Sequence, residues 1–129
     1  MKLRKLPFAA ILPARDLDKA KKFYMEKLGL PEPKKMAPGH LQFTLGKNRA
    51  LLRYQSEAGT EAKHTVAGWM TEDIENTIKN LKEKGVEFEQ YDMPNLKTDE
   101  LGIAEIGEIR TAWFKDPAGN ILAINEASL

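Results

Sequence analysis

The sequence predicts an α+β fold built from two half-sized copies of one plan, and three observations carry that prediction. Asp16-Leu17-Asp18 opens a segment ending at Gly29-Leu30, and Asp73-Ile74-Glu75 opens another ending at Gly85-Val86, so the copies are offset by 57 residues at the aspartates and 56 at the glycines. Between each aspartate and its glycine, apolar residues recur three or four apart, the period of a helix with one buried stripe. Short strand-like apolar runs lie before and after each such segment. Each half therefore reads strand, helix, then two or three strands. At 129 residues the chain has the size of one domain, here divided into a first module (residues 1–55), a linker (56–63) and a second module (64–129).

In the first half, Phe8-Ala9-Ala10-Ile11-Leu12 is the opening strand. Leu17, Ala20, Phe23, Tyr24 and Leu28 then form the stripe of a helix, with Asp16 as its N-cap and Gly29 free to take the positive φ that ends it. Pro31, just beyond, cannot continue the helix. Two strands follow, Leu41-Gln42-Phe43-Thr44-Leu45 and Ala50-Leu51-Leu52-Arg53-Tyr54, around a turn at Gly46-Lys47-Asn48. The stretch Ser56 to Lys63 is small and polar, as suits a linker.

The second half opens with Thr65-Val66-Ala67-Gly68-Trp69-Met70. Its helix carries the stripe Ile74, Ile78 and Leu81, with acids at the start (Glu72, Asp73, Glu75) and lysines at the end (Lys79, Lys82, Lys84), the order a helix dipole favours. Strand-like pieces follow at Val86-Glu87-Phe88-Glu89, Arg110-Thr111-Ala112-Trp113-Phe114 and Ile121-Leu122-Ala123-Ile124, the last two around a turn at Asp116-Pro117-Ala118-Gly119-Asn120. Between them, Asp92 to Ile109 holds Pro94, Gly102 and Gly107 and has no clean period. A loop of that length in a small domain is either mobile or a cover over a site.

Composition narrows the function. Twenty Lys+Arg against 19 Asp+Glu give a net charge of +1, too little to draw the protein to nucleic acid or an anionic membrane. The absence of cysteine removes thiol nucleophiles, zinc–thiolate sites, disulfides and iron–sulfur clusters. No apolar run reaches the roughly 18–20 residues of a membrane span, and the start lacks a signal-peptide core. The sequence thus predicts a cytoplasmic protein with no nucleic-acid or membrane partner. Its two serines, Ser56 and Ser128, lie in no nucleophile elbow, and Gly102 and Gly107 open no phosphate-binding helix.

Asp16-Leu17-Asp18, the helix end Phe23-Tyr24-Met25-Glu26-Lys27-Leu28-Gly29-Leu30, and Trp113-Phe114-Lys115-Asp116-Pro117-Ala118-Gly119-Asn120-Ile121-Leu122 together resemble the vicinal oxygen chelate superfamily. That superfamily contains glyoxalase I, extradiol dioxygenases, fosfomycin-resistance transferases and bleomycin-binding proteins. The resemblance spans nearly the whole chain and implies two βαβββ modules whose mixed sheets curl into a cup, with helices outside and a ligand site within. It also implies that a homodimer is the common assembly. Ala9-Ala10-Ile11-Leu12 and Ile121-Leu122-Ala123-Ile124 lack strong polar alternation, as strands covered on both faces should.

Enzymes of the superfamily usually hold a divalent metal through His, Glu or Gln. The resemblance implies the corresponding positions: Ala9 and Val66, each seven residues before a helix-opening aspartate, Ala123, six after the turn proline, and a position near Leu52. Hydrocarbon side chains offer a cation no lone pair, so the expectation is no metal and no cofactor.

Acid–base chemistry without a metal has weak catalytic candidates in His64, Glu87 and Glu89, with Tyr91 or Tyr54 as proton donors. By alternation from Val66 and from Phe88, His64, Glu87, Glu89 and Asn125 are expected to face the cup, while Val86 and Phe88 lie under the helix. Trp113 is expected to face the cup and Trp69 the helix. A tryptophan there is either a stacking surface for a planar ligand or simply cup filling. The ligand-binding expectation comprises Trp113, Tyr54, His64 and Asn125. Two functions stand side by side: metal-independent binding of a small apolar or aromatic molecule, or a divergent enzyme, either a metal-free isomerase or lyase or a metal-dependent one with a shifted site.

Overall fold

Both helix starts expected from the sequence carry the same side-chain cap. Asp16 Oδ1 accepts from the Lys19 backbone N–H at 3.1 Å, and Asp73 Oδ1 from that of Asn76 at 3.2 Å. In the computed structural model, residues 3, 6, 8–46, 49–55 and 62–127 are described. The chain divides into two units, Met1–Glu61 with Pro117–Asn120, and Ala62–Asp116 with Ile121–Leu129. Most of the expected linker, 56–61, lies outside the described residues.

In the first unit, β1 (Phe8–Ala14) leads to α1 (Leu17–Lys22), which continues as a π-helical turn (Phe23–Lys27) before β2 (Lys34–Ala37), β3 (His40–Leu45) and β4 (Arg49–Gln55). The sheet order is β1-β4-β3-β2, with β1 parallel to β4 and the other pairs antiparallel. The sequence predicts one helix from Asp16 to Gly29; the structure widens its last turn, where Leu28 N–H reaches Phe23 O at 3.2 Å, five residues back. Gly29, at φ 73°, then ends it as expected. Tyr24 from this turn is fully buried and packs against buried Phe43 of β3, ring centres 5.7 Å apart. Leu12 and Ala14 are buried too, whereas Ile11 between them is 62% exposed, so alternation along β1 separates a core face from an open one. Strand β2 was not legible: all four of its residues are exposed, with no apolar alternation to mark them.

The second unit repeats the plan: β5 (Thr65–Met70), α2 (Ile74–Glu83), β8 (Ala104–Ile106), β9 (Ile109–Lys115) and β10 (Ile121–Ala127), in the sheet order β5-β10-β9-β8. Strand β5 runs parallel to β10, and the rest are antiparallel. Register assigns its two faces. Leu122 pairs with Phe114 and Ala67, and Ile124 with Ala112 and Trp69, forming the face under α2. Ile74 and Ile78 of α2 are fully buried. Trp69 stacks on Phe114 at 6.4 Å, and Phe88 meets the same ring edge-on at 5.4 Å. These placements match the expected sides for Trp69 and Phe88.

Two expectations need correction. Val86 to Glu89 is not a strand: only Phe88 bridges to Phe114, although Val86 is buried as expected. The stretch 92–109 is not an irregular loop either. It contains a small hairpin, β6 (Asp92–Met93) with β7 (Leu96–Lys97), and then β8. Asp99 organises the bend between them, its Oδ1 accepting from the Leu101 and Ile103 N–H groups, both at 2.9 Å. A turn held by one carboxylate leaves no hydrophobic period to read.

Candidate functional site

The sheet face of the second unit that points away from α2 carries Trp113, as expected from alternation. Ala123 lies opposite Trp113, and Asn125 opposite both Thr111 and Met70. The indole is held at two places. Its Nε1–H donates to Thr65 Oγ1 at 3.1 Å, and Tyr91 packs edge-on at 5.5 Å. On the backbone, Glu89 N–H donates to Trp113 O at 2.8 Å. Tyr91 is itself fixed by Thr98, whose Oγ1 accepts from the Tyr91 N–H at 2.9 Å. The hairpin region expected to cover a site is therefore tied to the ring beside Trp113.

Thr65, and not His64, is the residue at the start of β5 that meets Trp113. The pairing of β5 with β10 steps from Thr65–Ile121 to Ala67–Leu122, so Val66 is an extra residue in a bulge. Alternation counted back from Gly68 breaks at that point, and the expectation that His64 shares the Trp113 face through Val66 fails with it. His64 lies just before β5, exposed. Glu87 is exposed as well. Glu89 follows Phe88 along β9, and its carboxylate pairs with Lys115 at 3.5 Å. The structure thus puts Glu89 beside Trp113 but does not gather His64, Glu87 and Glu89 into one cluster. The side chain of Tyr54 lies outside the described residues.

On the opposite face, Arg110 donates to Glu75 at 3.0 Å and to Glu126 at 3.4 Å, while Glu126 Oε2 accepts from the Ile74 N–H at 2.8 Å. The pKa of Arg110 is raised, first by the Glu75 hydrogen bond and then, against desolvation, by Glu126. This network caps α2 with a strand carboxylate and belongs to the architecture rather than to the Trp113 face.

The positions at which the resemblance implies metal ligands carry no donor. Ala9 lies on β1 with the parity of Ile11, away from the core face; Ala123 lies opposite Trp113; Val66 is the bulged residue; and Leu52 pairs with Ile11 in register. Among the described residues no three His, Asp or Glu side chains stand where they could hold a metal ion. These residues do not fit the divalent ion of the related enzymes.

Residues 6–124 match the family model for the Glyoxalase/Bleomycin resistance protein/Dioxygenase superfamily. The chain belongs to that superfamily. Among solved structures of this superfamily fold, it is similar to a glyoxalase/bleomycin resistance protein/dioxygenase from Alicyclobacillus acidocaldarius, at 22% identity and TM-score 0.68, covering 98% of this chain and 95% of that one. TnmS3, an antibiotic binding protein from Streptomyces sp. CB03234, is similar at 23% identity and TM-score 0.67 over 99% of both chains. A lactoylglutathione lyase from Agrobacterium tumefaciens shares 19% identity at TM-score 0.65, over 95% of this chain and 93% of its own. At such identities the likeness establishes the superfamily fold, which binders and enzymes share. No curated protein sequence matches the chain. Among the described residues of this superfamily member, no helix is long and apolar enough to cross a membrane.

Proposed function

We propose that the protein binds a small apolar or aromatic molecule against the Trp113 face, without a metal ion. The supporting observation is the restraint on Trp113: a large, half-buried ring fixed at its polar edge by Thr65 and at its side by Tyr91. A ring already ordered loses little entropy when a flat ligand stacks on it, and preorganisation of this kind raises affinity. Hydrocarbon side chains at the family's ligand positions support a metal-free site. Trp113 and Asn125 are the proposed ligand contacts, and the partner is a small molecule rather than nucleic acid or membrane. A homodimer and a cytoplasmic setting complete the proposal, the first resting on the family likeness and checked by light scattering.

A thermal-shift screen of planar and aromatic compounds, run beside metal analysis of the purified protein, tests this reading. A ligand present at a hundred times its Kd raises stability by about 2.7 kcal/mol, and Trp113→Leu is expected to abolish that gain. Stoichiometric metal, or the absence of stabilisation by any aromatic class, overturns the proposal.

A further inference from the structure

Beside Trp113, the same face presents two polar side chains that the fold does not use. Thr111 is 4% exposed, yet no described residue hydrogen-bonds its hydroxyl, and none bonds the half-buried Asn125 carboxamide opposite it. Both polar groups keep some contact with solvent, so a ligand can reach them. Gly68 adds a second observation. A Cβ built at Gly68 would stand 2.9 Å from Ala123 O and 3.2 Å from Asn125 Nδ2, so the carboxamide lies over the bare backbone of β5 in space that any side chain would fill. Thr111 precedes Trp113 by two residues on β9 and is therefore roughly 7 Å along the strand from it, on the same side. Directly opposed side chains start about 5 Å apart at Cβ, so the hydroxyl and the carboxamide can reach one ligand edge together.

We infer that Thr111 and Asn125 form a polar reader for the edge of the molecule stacked on Trp113, and that the ligand class is a planar ring system carrying an adjacent N–H and C=O, as in a lactam or cyclic imide. The inference rests on the proposed binding at Trp113 and deepens it. An Asn carboxamide offers both a donor and an acceptor and so complements a lactam edge with two hydrogen bonds, while the Thr hydroxyl serves as either. A hydrocarbon ring would leave both groups unpaired and pay for their burial, which is how such a site discriminates.

The test compares the bicyclic lactam carbostyril with naphthalene, of nearly the same size and flatness. Binding is followed by Trp113 fluorescence in a Trp69→Phe background. Carbostyril is expected to bind at least about tenfold more tightly than naphthalene, because the hydrocarbon leaves two polar groups unmatched. In Asn125→Leu combined with Thr111→Val, naphthalene binding persists and the preference collapses to about twofold or less. Asn125→Asp, which preserves volume but removes the amide donor, provides the same readout if the double variant folds poorly, and is expected to weaken carbostyril alone. An unchanged lactam preference in these variants overturns the reader while leaving binding at Trp113 intact. Failure of both probes to bind the parent protein overturns the binding reading and the reader with it.

Discussion

Replacing Asp99 with alanine tests whether one carboxylate sets the path of the chain between the small hairpin and β8. Oδ1 accepts two backbone N–H groups, those of Leu101 and Ile103, at 2.9 Å each. Hydrogen bonds to a charged acceptor contribute about 1.5–3 kcal/mol each. Here they share one oxygen on an exposed residue, and the Leu101 N–H can turn to water, so the expected loss is about 2 kcal/mol, the size of one such bond rather than two. Most of it comes from Ile103, a buried residue whose N–H loses its acceptor. Asp99→Asn preserves an acceptor oxygen at the same place but not its charge, and is expected to lose about 1 kcal/mol, the difference between a charged and a neutral acceptor. Urea unfolding followed by circular dichroism gives the global change, and hydrogen exchange at Ile103 shows where it acts. Equal stability of the alanine and parent proteins, with unchanged protection at Ile103, refutes the argument that Asp99 organises this bend.

Gly68→Ala forces a Cβ to within 2.9 Å of Ala123 O and is expected to cost about 1–3 kcal/mol by overpacking, read as a lower urea midpoint. Phe114→Ala empties the space shared by Trp69 and Phe88 and should cost about 3–5 kcal/mol, with loss of near-ultraviolet tryptophan dichroism. Glu126→Ala removes the acceptor for Ile74 N–H, for which a capping loss of about 1 kcal/mol is expected; Glu126→Gln should recover much of it. Thr65→Val deletes the indole hydrogen bond and should shift Trp113 emission while leaving the unfolding midpoint within about 0.5 kcal/mol of the parent.

Much of the frame was legible because its signals are local. Asp16 and Asp73 cap helices by bonding residues three positions on, and Gly29 and Gly85 take the positive φ that a helix end requires. Period-two alternation separated Trp69 from Trp113 correctly. What escaped depended on partners distant in sequence or on single-residue irregularities. Strand β2 exists because β3 offers it an edge, not because Lys34-Lys35-Met36-Ala37 favours a strand. The π-helical turn and the bulge at Val66 each add one residue that no period reveals. At the site, Trp113 and Asn125 could be placed on a face by counting along β9 and β10, whereas Glu89 follows a segment that is not a strand and Thr65 became visible only through the bulge. Thr111 carries no signal in sequence: its interest lies in a hydroxyl that no described residue hydrogen-bonds, on the same face as Trp113.

The bulge at Val66 also makes the two ends of β5 independent of each other. Downstream, Gly68, Trp69 and Met70 are locked to β10 by parallel pairing. Upstream, Thr65 pairs with Ile121 with its parity reset, so a change in length at Val66 is absorbed between these two paired positions. A descendant lacking Val66 would pair Thr65 and Ala67 with Ile121 and Leu122 without a step, preserving the sheet below and altering only the approach from His64. The strand is thus a place where the mouth of the Trp113 face can be rebuilt by insertion or deletion while its floor stays the same.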